Sequence, residues 1–296
     1  MIYTCTTNPS LDYFISVPSL EKGKNNRCDT ESFDAGGKGV NVSIVLNNFR
    51  IPTVCVGFLG GFTKDYYLSF ISAYPNIQPL FTSIKDNTRI NVKIIEEHHE
   101  TSINAKGPHI SDEEFKKFKS RLNNIFSDDI FVLSGNIEEE IKDRMIDLVY
   151  ELSKEDVRIV LDTDRDILEQ CLGAELFAVK LNDTNLGNDD LKDYARMLTE
   201  KNVRYVLYSA PHKSSYIFTK DKYYKCGNLK DSLINTTGSS DSMVAGFLYG
   251  IIRGADCAES FRYANAASLA TCMSNDLGSK EKIEEVFENI EIKEHE

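Results

Sequence analysis

Basic residues are in deficit: 34 Lys and Arg face 46 Asp and Glu, a net charge of -12 with a sequence pI near 5.0. That balance argues against a nucleic-acid partner, which needs a basic surface, and leaves room only for a local basic pocket. No apolar run reaches membrane-spanning length, and the first ten residues lack the basic start and apolar stretch of a secretory signal. The expectation is a cytoplasmic protein with no membrane partner. Seven cysteines, at 5, 28, 55, 171, 226, 257 and 272, form no Cys-x-x-Cys pair and are odd in number. They fit reduced thiols, mostly core filler, better than a disulfide framework or a zinc site. The adjacent His98 and His99 have no partner at i+3 or i+4 and would point to opposite faces of a strand, so they read as solvated. No repeat, linker or low-complexity segment interrupts the 296 residues, enough for one large core with an appendage or for two domains.

What is present is an alternation of strand and helix with two strand-only interruptions. Residues 2–6 are β-prone and end in the turn Asn8-Pro9-Ser10. Residues 13–17 and 25–33 then read as strands with no helix between them, and 88–94 and 101–104 do the same later. The two interruptions can pair into one small sheet. Elsewhere strands are expected at 53–58, 77–84, 130–133, 157–161, 176–180 and 203–208. Helices are expected at 64–73, 138–153, 165–172 and 189–200. Ser111-Asp112-Glu113-Glu114 is a capping box opening a helix whose stripe is Phe115, Phe118, Leu122, Ile125 and Phe126. A hairpin at 216–218 and 223–226 precedes helices at 256–274 and from 279, and 291–296 reads as an acidic, solvated tail. This order predicts a parallel sheet covered on both faces, whose ligands bind at the carboxyl ends of the strands. Ser134-Gly135-Asn136, Asp162, Lys180 with Asn182, and Ser209 fall at those ends, although each residue type also serves as a turn former.

Two glycine-bearing loops open helices. In Gly36-Gly37-Lys38-Gly39, three glycines around one lysine permit close backbone approach to a ligand, but this is no Walker A loop, because Gly39 follows Lys38 where Ser or Thr is required. The second loop, Asn235-Thr236-Thr237-Gly238-Ser239-Ser240-Asp241-Ser242, runs into apolar residues at 243, 244, 247, 248, 251 and 252. A helix N-terminus there, with unpaired N–H groups and the positive end of its dipole, suits a transferring phosphoryl group. Capping of the helix by Ser239, Ser240 or Asp241 accounts for the same residues.

The ordered set Asn8-Pro9-Ser10-Leu11-Asp12, Gly36-Gly37-Lys38-Gly39-x-Asn41, Gly57-Phe58-x-Gly60-Gly61, Thr88-Arg89-Ile90-Asn91-Val92-Lys93, Ser134-Gly135 and Gly238-x-x-Asp241-Ser242-Met243-Val244-Ala245-Gly246-Phe247 resembles the PfkB family of ribokinase-like sugar kinases. More narrowly it resembles the 1-phosphofructokinase branch, with tagatose-6-phosphate kinase close by. The resemblance implies a ribokinase-like α/β fold: a doubly wound, mostly parallel sheet with helices on both faces, built from 1–10, 36–87 and 106–296, and a small β-sheet lid from 11–35 and 88–105. It implies a homodimer through that lid. It also implies ATP and Mg²⁺, and transfer to fructose 1-phosphate giving fructose 1,6-bisphosphate; tagatose 6-phosphate as acceptor and a catalytically weakened sugar-phosphate binder are the alternatives.

Roles follow from the same resemblance. Asp241 is the general base, and Gly238, Ser239 and Ser240 form the anion hole with it. Asp12, Gly36, Gly37, Lys38, Asn41, Asn91 and Ser134 hold the sugar, while Arg27 and Arg89 grip its existing phosphate, a task suited to the forked guanidinium. Lys180, Asn182, Ser209, Ala210, Gly238 and Asn265 form the nucleotide side, with Asn185 near Mg²⁺ and no metal ligand assigned. Three motifs depart from the family. Gly-Ala-Gly-Asp is here Gly238-Ser239-Ser240-Asp241, so Ser240 is expected to crowd the anion hole or take a positive φ. Lys-Pro-Asn-x-x-Glu is here Lys180-Leu181-Asn182-Asp183-Thr184-Asn185, and Ser-Leu-Gly-Gly is Tyr208-Ser209-Ala210-Pro211. All three touch the nucleotide half.

Overall fold

A computed structural model describes residues 1–97, 99–210, 213–227, 234 and 236–296; His98, Pro211 and Asn235 lie outside the described residues. The chain begins β1 (Ile2–Thr6), β2 (Ser10–Ser16), β3 (Thr30–Gly36), α1 (Lys38–Asn48), β4 (Thr53–Gly60), α2 (Gly61–Ile71), β5 (Ile77–Pro79), β6 (Thr82–Ile84), β7 (Arg89–Glu96) and β8 (His99–Ile103). It continues with α3 (Asp112–Arg121), β9 (Ile130–Ser134), α4 (Lys142–Lys154), β10 (Arg158–Asp162), α5 (Arg165–Gln170), β11 (Leu176–Leu181), α6 (Asp183–Leu186), α7 (Leu191–Glu200) and β12 (Val203–Tyr208). Last come β13 (Ser215–Phe218), β14 (Tyr223–Cys226), α8 (Ser239–Ile252), α9 (Cys257–Cys272), α10 (Lys280–Phe287) and β15 (Ile292–His295).

The main sheet runs β15-β14-β13-β12-β11-β10-β9-β1-β4-β5, with β6 paired to β4. From β5 to β12 the pairing is parallel, and β13, β14 and β15 add an antiparallel edge. The parallel strands are buried on both faces, which is why they read as unbroken apolar runs. In β9, Ile130 and Val132 pack toward α1, α8, α9 and α10, whereas Phe131 and Leu133 pack toward α3, α4, α5 and α7. One strand thus feeds two cores, as its two-residue period requires. From β1 the chain builds outward through β4 and β5, then returns to the other side of β1 at β9 and builds through β10, β11 and β12. The winding reverses between β1 and β9, and the crevice above such a reversal is where open α/β sheets bind ligands.

The second sheet has the order β3-β2-β7-β8 and draws on both strand-only interruptions. Its first strand pair is shorter than expected: 25–29 is not strand, and β3 starts at Thr30. Two other expectations need correction. Helix α3 stops at Arg121, so Leu122 and Ile125 are buried beyond its end, while Phe126 is 65% exposed instead of joining the stripe. The acidic C-terminus is not a solvated tail, because Ile292–His295 pairs antiparallel with Tyr223–Cys226 and His295 stacks on Tyr223 at 4.9 Å. Among the described residues, no helix is long and apolar enough to cross a membrane.

Candidate active site

Helix α8 is buried almost all round from Asp241 to Gly250. Met243, Phe247 and Leu248 are each at most 1% exposed, and burial of side chains this size contributes about 1.5–3 kcal/mol apiece. The helix start is therefore held firmly by its own core packing. Gly238 occupies the cap position with φ 76°, and among the described residues the cap makes no side-chain hydrogen bond. The capping explanation for Ser239, Ser240 and Asp241 fails on this geometry: Ser239 Oγ bonds Thr236 O at 2.9 Å, and all three residues lie inside the helix. Ser240 is not among the residues with positive φ, so the strain expected there does not arise. By contrast α3, α7, α9 and α10, away from the crevice, are capped by Ser111, Asp190, Asp256 and Ser279. Ser239 N donates to Thr236 O at 3.3 Å, and among the described residues the next two amides of the first turn, at Ser240 and Asp241, stay available to an anion.

Helix α1 meets α8 at the same place. Its cap, Gly37, also offers no side chain. Asn41, one turn in, donates from Nδ2 to Asp241 Oδ2 at 2.7 Å. Lys38 reaches across to β10, where its Nζ donates to Asp162 Oδ1 at 3.2 Å. Asp162 stands in register with Ser134 on β9. Lys180 of β11 is 2% exposed and donates to Leu181 O at 2.8 Å. Two ionisable groups near the ends of adjacent strands, Asp162 and Lys180, thus meet two from the first turns of helices, Lys38 and Asp241. Thr6 Oγ1, Ser134 Oγ, Asp162 Oδ2 and Thr163 Oγ1 are buried there without a hydrogen-bond partner among the described residues. Buried polar atoms rarely stay unpaired, so these four call for polar partners, water or ligand, at this place.

The charges shape one another. Burial, then the neighbouring Asp162, raises the proton affinity of Asp241 to about 7, against the pull of Asn41, Lys38 and Lys180. Burial alone would lower Lys38, but Asp162 and Asp241 together raise it. Burial wins at Lys180, lowering it to about 8. A carboxylate tuned near neutrality, hydrogen-bonded at an uncapped helix start and flanked by two lysines, is equipped to take a proton beside a developing negative charge.

On the lid side, β2 and β7 bring Asp12 opposite Asn91. Asp12 Oδ1 accepts from Asn91 Nδ2 and from Ser10 Oγ, both at 2.8 Å. Gly36 lies across from Ser10 on β3, and a Cβ there would sit 2.6 Å from Asp12 Oδ2 and 2.7 Å from Ser10 Oγ, so a larger residue would displace both side chains. Arg89 donates to Asn8 O at 3.0 Å and to Ala105 O at 3.3 Å, tying together the two connections between the sheets. Its Nε has no hydrogen-bond partner among the described residues. Arg27 is exposed in the 17–29 connection, and no hydrogen bond among the described residues draws it to this group.

On the opposite flank, Asn182 and Asn185 form a reciprocal cap on α6, and Asn185 Nδ2 also donates to Thr163 O at 3.0 Å. The amide at 185 is thus committed to backbone that adjoins Asp162. Ser209 N donates to Leu181 O at 3.2 Å, and Ala210 packs against the core beneath. Asn265 is buried on α9, accepting from Ser215 Oγ and donating to Phe261 O. Next to Ser209, Tyr208 OH and Lys213 both donate to Asp183. The sequence reading did not place Asp162, Thr6, Glu138 or Asp183 in a site; Asp162 was visible only as a strand-end polar residue, and Glu138, which accepts from Asn8, carried no signal. Three cavities lie away from this group, two at the amino ends of the strands around Arg158 and one beside Phe126.

Comparison with known proteins agrees with this geometry. The pfkB family carbohydrate kinase profile matches residues 6–283. The 1-phosphofructokinase of Bacillus subtilis (strain 168) is 33% identical over 302 residues, covering 99% of this chain and 99% of that protein. The tagatose-6-phosphate kinase of Staphylococcus epidermidis (strain ATCC 35984) is 29% identical over 308 residues, with 99% of each chain covered. The crystal structure of phosphofructokinase-2 from Escherichia coli, in complex with substrates and products, matches with a TM-score of 0.91 at 22% identity, covering 97% of this chain and 98% of that one.

Proposed function

The chain belongs to the pfkB family of carbohydrate kinases, and on that footing we propose that it transfers the γ-phosphoryl group of ATP to fructose 1-phosphate, giving fructose 1,6-bisphosphate. The observation that carries the reading is the uncapped start of α8 with buried Asp241 inside its first turn. Phosphoryl transfer asks mainly for alignment and charge neutralisation, with a carboxylate near the attacking hydroxyl. Asp241 takes the proton of the acceptor hydroxyl, and the amides of 238–241 hold the transferring group. Asp12, Gly36, Gly37, Lys38, Asn41, Asn91 and the unpaired hydroxyl of Ser134 orient the sugar. Arg89, with N–H groups to spare, grips the phosphate already present, assisted by Arg27. Lys180, Asn182, Ser209, Ala210, Gly238 and Asn265 line the ATP side.

Among the described residues there is no group of three or more His, Cys, Asp or Glu able to hold a metal ion. Mg²⁺ in this reading would be carried by the ATP phosphates and water with Asn185 nearby, and would supply charge neutralisation there. The fructose 1-phosphate assignment rests on the relatives' names, and tagatose 6-phosphate is the competing acceptor. In a panel of phosphosugars with ATP, kcat/KM for fructose 1-phosphate should exceed that for tagatose 6-phosphate by at least about tenfold, roughly 1.4 kcal/mol of transition-state discrimination. A preference of that size in the other direction would replace the acceptor.

A homodimer through the lid is part of the same proposal. Alternation places Tyr13, Ile15, Val92, Ile94 and Ile103 on one face of the second sheet. The first four are half-exposed, and Ile103 is 58% exposed. An apolar face of this kind marks a surface that another chain covers. Sedimentation velocity at micromolar concentration should give a dimer, with Ile103→Asp shifting it toward monomer. A monomeric wild-type protein would rule the interface out.

A further inference from the structure

Of the four charged groups gathered in the crevice, the kinase reading employs Lys38, Lys180 and Asp241 and leaves Asp162 without a task. Yet Asp162 is 3% exposed, one of its oxygens holds Lys38 at 3.2 Å, and the other has no partner among the described residues. A half-paired buried carboxylate is a poor structural element, because a single counter-ion seldom compensates the loss of water. Its surroundings are equally specific: Lys38 comes from α1, Lys180 from β11 and Asp241 from α8, with Asp164 the next carboxylate along the chain toward Lys38. A turn former would need none of this company.

We propose that Asp162 is a positioning residue of the phosphoryl-transfer site, fixing the Lys38 ammonium at the floor of the crevice and setting the electrostatic environment of Asp241. The proposal rests on the reading of Asp241 as the base. A negative charge beside Asp241 disfavours its ionised form, so the carboxylate that does ionise is a stronger proton acceptor. Burial and Asp162 are the two influences that raise Asp241, in that order. Lys38, held by Asp162, stays within reach of both carboxylates and is itself raised by them.

Asp162→Asn separates the two tasks, since the amide oxygen can still accept from Lys38 while the charge is gone. The acid limb of kcat/KM against pH reports the base in the free enzyme. In Asp162→Asn that limb should move to lower pH by at least about half a unit, and kcat at pH 8 should fall by about tenfold. A purely structural role would leave the limb in place, so an unmoved limb in a folded variant overturns the inference. Asp241→Asn separates this failure from that of the base reading. If it is inactive while the Asp162→Asn limb stays put, only the role of Asp162 falls; if it turns over normally, the base reading falls and takes this inference with it. Should Asp162→Asn not fold, Asp162→Ser takes its place: the same shift of the acid limb to lower pH is expected, and an unmoved limb would overturn the inference.

Discussion

Replacing Asp241 with asparagine is expected to lower kcat by roughly 10²- to 10⁴-fold while leaving KM for the phosphosugar within about twofold of wild type. The change removes the proton acceptor and little else. Asn41 Nδ2, which donates to Asp241 at 2.7 Å, can donate equally to the new amide oxygen, and the volume is unchanged. The same variant should be more resistant to urea at pH 8. Asp241 binds its proton more tightly in the folded protein than in the unfolded chain, its pKa rising from 3.8 to about 7 through burial and Asp162. Its contribution to stability is therefore present at acid pH and lost as pH rises through about 7. Asparagine avoids that loss. A lower urea midpoint would attribute the drop in kcat to damaged folding, and a near-normal kcat would remove Asp241 from the role of base.

Gly238→Ala is expected to reduce kcat by about 10²-fold through geometry alone. Gly238 sits at φ 76°, where an L-residue loses roughly 1–2 kcal/mol. The new Cβ would also stand 2.5 Å from Leu277 Cδ2. Leu277 can swing part of the way, but the backbone conformation cannot be relieved without shifting the first turn of α8. That turn carries both the amides and Asp241, so its displacement misaligns acceptor, base and phosphoryl group together. Urea melts should show a loss of about 1–2 kcal/mol. If stability falls by that amount and kcat changes by less than about threefold, the turn is a structural bend and not an anion site.

The alternation of strand and helix was legible because β9, β10 and β11 are buried on both faces and so leave unbroken apolar runs. The second sheet was legible as two stretches with strand pattern and no helix between. The Gly238 turn was legible as the mouth of a helix, but not whether it was capped. Serine and aspartate are good caps in any sequence, and only the backbone places glycine at the cap position with the hydroxyls beyond it. Asp162 was hidden for another reason. A polar residue ending a strand is usually a turn former, and sequence order does not reveal that β10 lies two strands from β1 and faces α1. The C-terminal strand was missed because Glu291, Glu294 and Glu296 mask its pattern, while its pairing depends on β14 and on His295 meeting Tyr223.

The most direct test follows the fate of the γ-phosphoryl group. Incubated with ATP, Mg²⁺ and fructose 1-phosphate, the protein should convert all three ³¹P signals of ATP into those of ADP and fructose 1,6-bisphosphate, one bisphosphate per ADP. Absence of ADP above background with fructose 1-phosphate, and with every other ketohexose phosphate in the panel, would contradict the assignment of this site as a sugar-phosphate kinase.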